Sequence, residues 1–392
     1  MRKKQRLWIF LLLGLLAFAA QGCLGFGGPS TKSVGTNSTG NQVNVVQDAF
    51  KGKIYATIGH TLYLITGAGQ SHQLVGGGNV YDPAVSPDGT KIAFIQKYKE
   101  YSDLAYTSTS GGPVHVLLSG NGNFFVNDGG FVHSTFHWFF EPSWSSDGST
   151  LIFLSDLLKA DYALQCTGAN ADMLDLQVFA VQINNPAHTQ AVAYAEFGGG
   201  GDRDPSYRPG HADQILYAHY SRLPSDSSNQ VVQLFLADPG EIARHPRKYC
   251  AGGADSGIAI SDPKDENIQP AFSPDGNAIA YVKRDNATQM SLDVMPVPEN
   301  VTQNPNDPTT AKQALLPYQK SQHLLQGLYI GHPVWSPDGK RIAYLTESNN
   351  ELDLWITNVS YNASTGVYSV QGAPTQVTTG GIDGDSRVVW TN

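Results

Sequence analysis

The chain has 392 residues, a net charge of −9 and a sequence pI near 5.6. This acidic balance, with no Lys or Arg run beyond the first residues, argues against nucleic-acid binding and against electrostatic docking on anionic lipid. Only 15% of the residues are charged, whereas Gly and Pro number 41 and 22. Such a composition is typical of many turns and short strands, so we expect an all-β protein.

The chain begins with an export segment. A basic stretch at residues 2–6 precedes an apolar run, residues 7–20, which is shorter than the roughly 20 residues of a transmembrane helix. The run ends in Ala20-Gln21-Gly22-Cys23, which resembles the lipobox of lipoproteins, although Ala20 stands where Leu is more common. The resemblance implies a signal peptide over 1–22 and a lipid on Cys23. An ordinary signal peptide cut nearby is the alternative.

Residues 23–51 are predicted to be the lipidated cysteine and a flexible tether. The stretch up to Asn44 is rich in Ser, Thr, Asn and Gly, with few apolar residues to build a core. Besides Cys23 the chain has only Cys166 and Cys250, which would be free to form a disulfide in an exported protein. Whether they pair is left open.

Residues 52–392 carry an internal repeat. DPAVSPDGTKIAF, beginning at Asp82, recurs as EPSWSSDGSTLIF from Glu141, QPAFSPDGNAIAY from Gln269 and HPVWSPDGKRIAY from His332. A degraded copy, DPSYRPGHADQILY, begins at Asp204. Each copy predicts a strand, a tight Pro- and Gly-containing turn and a second strand, and further β-patterned runs follow it. The units therefore supply four strands each, which favours a β-propeller.

At these residues the chain resembles the TolB-type, WD-like propeller repeat. The final segment, RVVWTN from Arg387, aligns with the start of a repeat, and its second strand is found at the other end of the chain, from Lys53. We therefore expect a six-bladed propeller of four-stranded blades, closed by pairing of the N- and C-terminal strands. A five-bladed ring with an unrelated tail is the alternative. The resemblance is specific for the fold and weak for function.

In a propeller the first strand of each blade is innermost, so its starting residue lies at one mouth of the central channel. The six residues expected there are polar, and they are Asp82, Glu141, Asp204, Gln269, His332 and Arg387. They form either a ligand-binding funnel or a set that caps backbone groups and pairs across the mouth. The three carboxylates could also hold Ca²⁺, although no Asp-x-Asp-x-Asp-Gly loop is present. No metal ligand is therefore assigned.

An aromatic insertion between the first two hairpins is a second candidate for recognition. It is expected to lie over the same channel mouth, either as a binding rim or as a plug, and its aromatics are Phe124, Phe125, Phe131, Phe136 and Trp138. Polysaccharide lyases are built on related repeats and use channel-mouth His, Gln and Arg with a metal. In this chain Gln269, His332 and Arg387 would take those roles.

The sequence thus predicts a monomeric, non-catalytic propeller, anchored by lipid to the extracytoplasmic face of the cell membrane, either extracellular or periplasmic. Its expected partners are envelope proteins, peptides or carbohydrates, and no cofactor is required. No Gly-x-Ser-x-Gly elbow is present, and no residues are left for the hydrolase domain of propeller-bearing peptidases. A lyase or metal-dependent hydrolase at the channel mouth is the alternative. The space before residue 52 is too short for the α/β domain of TolB.

Overall fold

A computed structural model describes residues 29–126, 132–159, 175–195, 199–223, 226–240, 257–303 and 305–392. Cys23, Phe131, Cys166 and Cys250 lie outside the described residues, so the lipidation and disulfide predictions are not examined by it. Among the described residues, no helix is long and apolar enough to cross a membrane.

Six antiparallel sheets of four or five strands follow the sequence repeat. Blade 1 contains β3 (Lys53–Ile58), β4 (Thr61–Thr66), β5 (Ser71–Val75) and β30 (Val389–Thr391). Blade 2 contains β6 (Val80–Val85), β7 (Lys91–Lys97), β8 (Ser102–Ser108) and β9 (His115–Ser119). Blade 3 contains β12 (Phe139–Trp144), β13 (Thr150–Ser155), β14 (Gln177–Gln182) and β15 (Asn185–Ala193).

The second half of the chain continues the pattern. Blade 4 contains β16 (Gly201–Arg208), β17 (His211–Leu223), β18 (Asp226–Ala237) and β19 (Gly257–Ala259). Blade 5 contains β20 (Glu266–Phe272), β21 (Ala278–Asn286), β22 (Gln289–Pro296) and β23 (Gln322–Gly327), with a helix, Pro308–Leu315, and a 3₁₀ turn, Tyr318–Lys320, before β23. Blade 6 contains β24 (Gly331–Trp335), β25 (Arg341–Ser348), β26 (Glu351–Asn362), β27 (Val367–Val370) and β28 (Thr375–Gln376).

The prediction of six blades is wrong, because the structure has a seventh. Blade 7 is a three-stranded sheet of β1 (Thr31–Thr36), β2 (Gln42–Val46) and β29 (Thr378–Thr379). It contains part of the stretch that was expected to be a flexible tether. Val34, Val43 and Val45 alternate with polar residues there and are buried in one core cluster with blades 1 and 6. A strand with one buried face has a mixed average composition, which is why the segment resembles a linker.

The chain ends pair as the repeat alignment predicts. Lys53, Ile54 and Tyr55 of β3 lie opposite Thr391, Trp390 and Val389 of β30, so blade 1 combines the last strand of the chain with its third. The Trp390 ring is buried against Phe50, and its Nε1 donates to the backbone oxygen of Lys51 at 2.8 Å. The edge of β3 that faces the channel is thereby covered.

The Ser-Pro-Asp-Gly turns are held by their own side chains. In the Asp82 repeat, Ser86 Oγ donates to Asp88 Oδ1 at 2.5 Å and accepts from the Lys91 backbone N–H at 2.9 Å. The same pattern recurs at Ser145, Ser273 and Ser336. We call the side of the propeller that carries these turns the turn face.

The degraded repeat replaces this device with a buried arginine. Arg208 stands where the other repeats have Ser, and its guanidinium donates to the backbone oxygen of Gly276 at 2.7 Å and to Gln214 Oε1 at 2.8 Å. It also pairs with Glu299, at 2.5 Å from Nη2 to Oε1. Arg208 therefore connects blade 4 to the turn of blade 5, whereas Ser86 bonds only within its own turn.

Candidate functional site

The six residues predicted at the channel mouth lie together on the side opposite the turn face, which we call the mouth face. Five of them are in the innermost strands β6, β12, β16, β20 and β24, and Arg387 precedes β30. Each of the five has a positive φ, between 47° and 56°, and lies at a register shift in its strand. Proline follows each of them, so the bulge has no N–H to satisfy at that position.

This backbone conformation is costly and recurrent. A non-glycine residue in the left-handed region costs about 1–2 kcal/mol, and a residue before proline normally adopts an extended conformation. Such strain persists where the surrounding structure fixes it, and it clusters at ligand-binding and active sites. The conformation recurs in the innermost strands of five blades, where it sets the direction of the side chain rather than the stability of the strand.

Four of the side chains form a relay in which each accepts the backbone N–H of the next mouth residue along the chain. The N–H of Glu141 donates to Asp82 Oδ2 (3.3 Å), that of Asp204 to Glu141 Oε2, that of Gln269 to Asp204 Oδ2 (3.3 Å) and that of His332 to Gln269 Oε1 (2.8 Å). Asp82 also contacts the last segment of the chain, because its Oδ1 accepts from the Arg387 N–H at 3.3 Å and its own N–H donates to Ser386 Oγ at 2.9 Å. Sequence reasoning did not identify Ser386, which lacks a counterpart in the repeat.

The three carboxylates surround one guanidinium. Arg387 Nη2 lies 2.9 Å from Glu141 Oε2 and 3.4 Å from Asp204 Oδ1. Burial and the neighbouring Asp204 raise the pKa of Glu141 to about 8, although Arg387 opposes the shift. Burial disfavours the charge on Arg387, but Glu141, Asp204 and Asp82 outweigh it and raise its pKa. Acidic groups therefore outnumber basic ones at the mouth.

Gln269 and His332 lie together, apart from this ionic group. Their Nε2 atoms are 3.2 Å apart, and His332 Nε2 is also 3.0 Å from the backbone oxygen of Gly384. One ring nitrogen donates or accepts, so it serves only one of the two partners at a time. Burial lowers the pKa of His332, which favours the neutral imidazole at pH 7. Arg387 is hydrogen-bonded to Glu141 and Asp204.

Below the mouth residues lies a cavity of about 310 Å³ that forms the central channel. Its walls include Asp204, Gln269, His332 and Arg387, then a layer of prolines with Val388, and then small residues such as Ala84 and Ala271. Ser206 also lines it, and within the described part of the chain its buried Oγ has no hydrogen-bond partner. The channel thus offers a polar opening, apolar walls and one unused hydroxyl.

The described residues contain no group of three or more His, Cys, Asp or Glu side chains with the geometry of a metal site. The mouth carboxylates are instead engaged with backbone N–H groups and with Arg387. Calcium binding at this position stays a prediction.

The aromatic insertion lies at the rim of the mouth face. Phe124 of the short hairpin β10 (Phe124–Val126) and β11 (Val132–Ser134), which also contains Phe125, contacts Phe136 at 5.0 Å between ring centroids. Phe136 stacks on Tyr101 and Tyr101 on Tyr98, at 6.0 and 4.7 Å, and Phe124 is 58% exposed. These four rings, Phe124, Phe136, Tyr101 and Tyr98, form the rim row. None of them lines the channel cavity.

A second stack connects the rim to the acidic residues. Lys97 Nζ lies 3.5 Å from the centroid of the Tyr81 ring and 5.3 Å from that of Phe140, and Trp138 stacks on Phe140 at 6.2 Å. Tyr81 and Phe140 directly precede Asp82 and Glu141. Sequence reasoning missed Tyr81, Lys97, Tyr98 and Tyr101. The Lys97-Tyr98-Lys99-Glu100-Tyr101 connection between β7 and β8 was the available indication, since it is aromatic and ends at the mouth face.

Comparisons with known proteins support the fold. No protein-family model matches the chain, and no curated protein matches it. Among solved structures, TolB from Acinetobacter baumannii is similar with a TM-score of 0.51 and 15% identity, over 88% of this chain and 66% of that one. A putative TolB from Agrobacterium tumefaciens has a TM-score of 0.43 and 14% identity, over 79% and 87%. An oligogalacturonate lyase in complex with manganese has a TM-score of 0.46 and 13% identity, over 87% and 84%. The chain therefore has a TolB-type β-propeller fold.

Proposed function

We propose that this protein is a lipid-anchored, extracytoplasmic propeller that binds a polypeptide partner at its channel mouth, without catalysis. The observation that carries the proposal is that three features lie on the same face. They are the strained mouth residues, a cavity with a polar opening and apolar walls, and an exposed row of aromatic rings. With Glu141 holding a proton at pH 7, Asp82 and Asp204 still outnumber Arg387, so the mouth favours a partner that presents a cationic group. The apolar walls suit a segment that enters the channel.

The rim row supports a macromolecular partner rather than a small ligand alone. Exposed aromatic rings supply contact area at low entropic cost and dominate binding hot spots. Phe124 and Tyr98 expose 58% and 40% of their surfaces at one edge of the same face. A partner that places a cation over the acidic residues would reach this row as well.

The binding proposal is tested by photo-crosslinking in native membranes. A photo-reactive amino acid is placed at Phe124 or Asp385 on the mouth face, and at Ser149, which is exposed on the turn face, as the matched control. We expect one and the same polypeptide to be captured from the two mouth positions only, and to be lost in the Glu141→Gln/Asp204→Asn double variant. Equal capture from Ser149, or capture that survives the double variant, would contradict the proposal.

The anchoring proposal rests on the lipobox resemblance and is tested by Cys23→Ser. The variant should appear in the soluble fraction after cell fractionation without detergent, with an unchanged unfolding temperature. The wild-type chain should stay with the membrane. A variant that still sediments with membranes would remove the lipid anchor.

A further inference from the structure

The first described strand, β1, begins on the turn face. β1 runs from Thr31, which pairs with Val46, towards a connection at residues 37–41, where Asn37 Nδ2 donates to the backbone oxygen of Gly380 at 2.7 Å. Gly380 leads into the mouth segment that contains Gly384. At the other end of β2, the Asp48 N–H donates to Gly67 in the turn between β4 and β5, next to Lys51. Thr31 is therefore on the opposite side of the propeller from the mouth residues.

Basic residues surround this starting point. The Lys32 side chain contacts Gly69 in the turn between β4 and β5, and Lys53 lies opposite Thr391. The backbone oxygen of Lys51 accepts from Trp390 Nε1, and the Arg341 guanidinium lies 4.8 Å from the Trp390 ring centroid. Together with Lys340, which precedes Arg341, these residues form the basic patch: Lys32, Lys51, Lys53, Lys340 and Arg341.

The patch is exposed and carries excess positive charge in an acidic protein. Lys32, Lys51, Lys53 and Lys340 are exposed, and the exposed carboxylates within the same segments are Asp48 and Asp338. The five cations come from distant parts of the chain, so no Lys or Arg run announces them. Each Lys or Arg near an anionic lipid surface contributes about 1 kcal/mol of attraction, within the screening length of the salt.

The distance to the anchor is short. Eight residue steps separate Cys23 from Thr31, and an extended chain spans at most about 3.6 Å per residue. A lipid on Cys23 would therefore hold Thr31 within about 29 Å of the bilayer surface. Because blade 7 takes up much of the stretch that resembles a tether, the link between the proposed anchor and the propeller is shorter than residues 23–51 would allow.

We propose that the basic patch docks on anionic phospholipid headgroups, so that the turn face lies on the membrane and the channel mouth faces away from it. This inference rests on the lipid anchor of the proposed function. It assigns the two faces separate roles, one towards lipid and one towards the partner.

The test uses the full lipidated chain in vesicles of phosphatidylcholine, with or without phosphatidylglycerol. A fluorescent amino acid is placed at Ser71, beside the patch, or at Ser38, in the connection at the mouth face; both positions are exposed. A headgroup-linked quencher reports proximity to the bilayer. We expect strong quenching at Ser71 and weak quenching at Ser38 in the anionic vesicles, with the difference reduced at high salt.

Charge reversal provides the matched variants. Lys32→Glu/Lys51→Glu/Lys53→Glu should lower the ratio of docked to undocked protein by roughly a hundredfold or more. Lys264→Glu/Lys312→Glu/Lys320→Glu makes the same charge change at exposed positions of blade 5 and should leave the quenching unchanged. Equal quenching at Ser38 and Ser71, or equal effects of both variants, would overturn the docking. Failure of the wild-type chain to sediment with either vesicle would instead overturn the anchor.

Discussion

At the scale of single residues, the mouth combines a strained backbone with side chains that serve two purposes. The left-handed conformation recurs at five mouth residues, and four of their side chains, Asp82, Glu141, Asp204 and Gln269, accept the backbone N–H of the next mouth residue. The relay orders the mouth, and Arg387 joins its acidic half. A binding partner would therefore meet groups that are already oriented, which lowers the entropic cost of association.

At Gln269, the left-handed backbone conformation should make a glycine substitution less destabilising than an alanine substitution, which is the reverse of the usual order. Gln269→Ala and Gln269→Gly both lose the hydrogen bond to the His332 N–H, but only alanine keeps a Cβ in the left-handed region. We expect Gln269→Gly to be about 1 kcal/mol more stable than Gln269→Ala. Urea unfolding of the two variants measures the difference directly. An alanine variant of equal or greater stability would show that the backbone relaxes at this position.

The raised pKa of Glu141, about 8, predicts a loss of stability at alkaline pH. The folded chain keeps a proton that the unfolded chain releases near pH 4.5, so stability falls as pH rises towards and through 8. The lowered pKa of His332 acts in the opposite direction, but only at pH values up to about 6.5. Between pH 7 and 9 the Glu141 contribution should amount to about 1 kcal/mol.

Glu141→Gln should remove this part of the pH dependence, because the amide oxygen still accepts hydrogen bonds but carries no charge. Unfolding free energies of wild type and variant at pH 7, 8 and 9 supply the comparison. Glu266→Gln, at an exposed surface pair with Arg284, is the control and should follow the wild-type curve. Parallel curves for wild type and Glu141→Gln would mean that Glu141 is ionised in the folded chain at pH 7.

At the scale of elements, the clearest departure from expectation is the hairpin of β1 and β2. Its polar residues face solvent, while its valines join the core of blades 1 and 6. The hairpin therefore belongs to the folded domain.

Val45→Ala should lower the free energy of unfolding by about 2 kcal/mol, because it removes two buried methyl groups and leaves a cavity. Ser38→Ala, in the exposed connection between β1 and β2, should change it by no more than about 0.5 kcal/mol. Chemical denaturation of both variants tests the contrast. A Val45→Ala variant as stable as Ser38→Ala would show that this segment is a tether and contributes nothing to the core.

At the scale of the whole molecule, closure depends on three residues of β30. They cover the channel-side edge of β3, and Trp390 packs against Phe50 while Arg341 lies over its ring. Closure also places Arg387 beside the acidic mouth residues. The strand that completes the ring thus completes the site.

Trp390→Ala should cost about 3–5 kcal/mol, because the ring is buried at this junction. Tyr361→Ala, on the exposed part of β26, removes an aromatic ring away from the junction and should cost about 0.5 kcal/mol. Thermal unfolding of the two variants separates closure from a general loss of aromatic packing. Similar unfolding temperatures would show that β30 does not hold the ring together.

The features predictable from the sequence were the local and the repeated ones. Ser-Pro-Asp-Gly turns and their flanking strands depend on neighbouring residues, so their spacing indicated the propeller, the pairing of β3 with β30 and the convergence of the six mouth residues. Only the tertiary structure decided the remaining features. The left-handed bulges, the partners of Arg387, the seventh blade and the basic patch arise from contacts between residues that are far apart in the chain. Those contacts depend on how the blades meet, and neither composition nor spacing encodes that geometry.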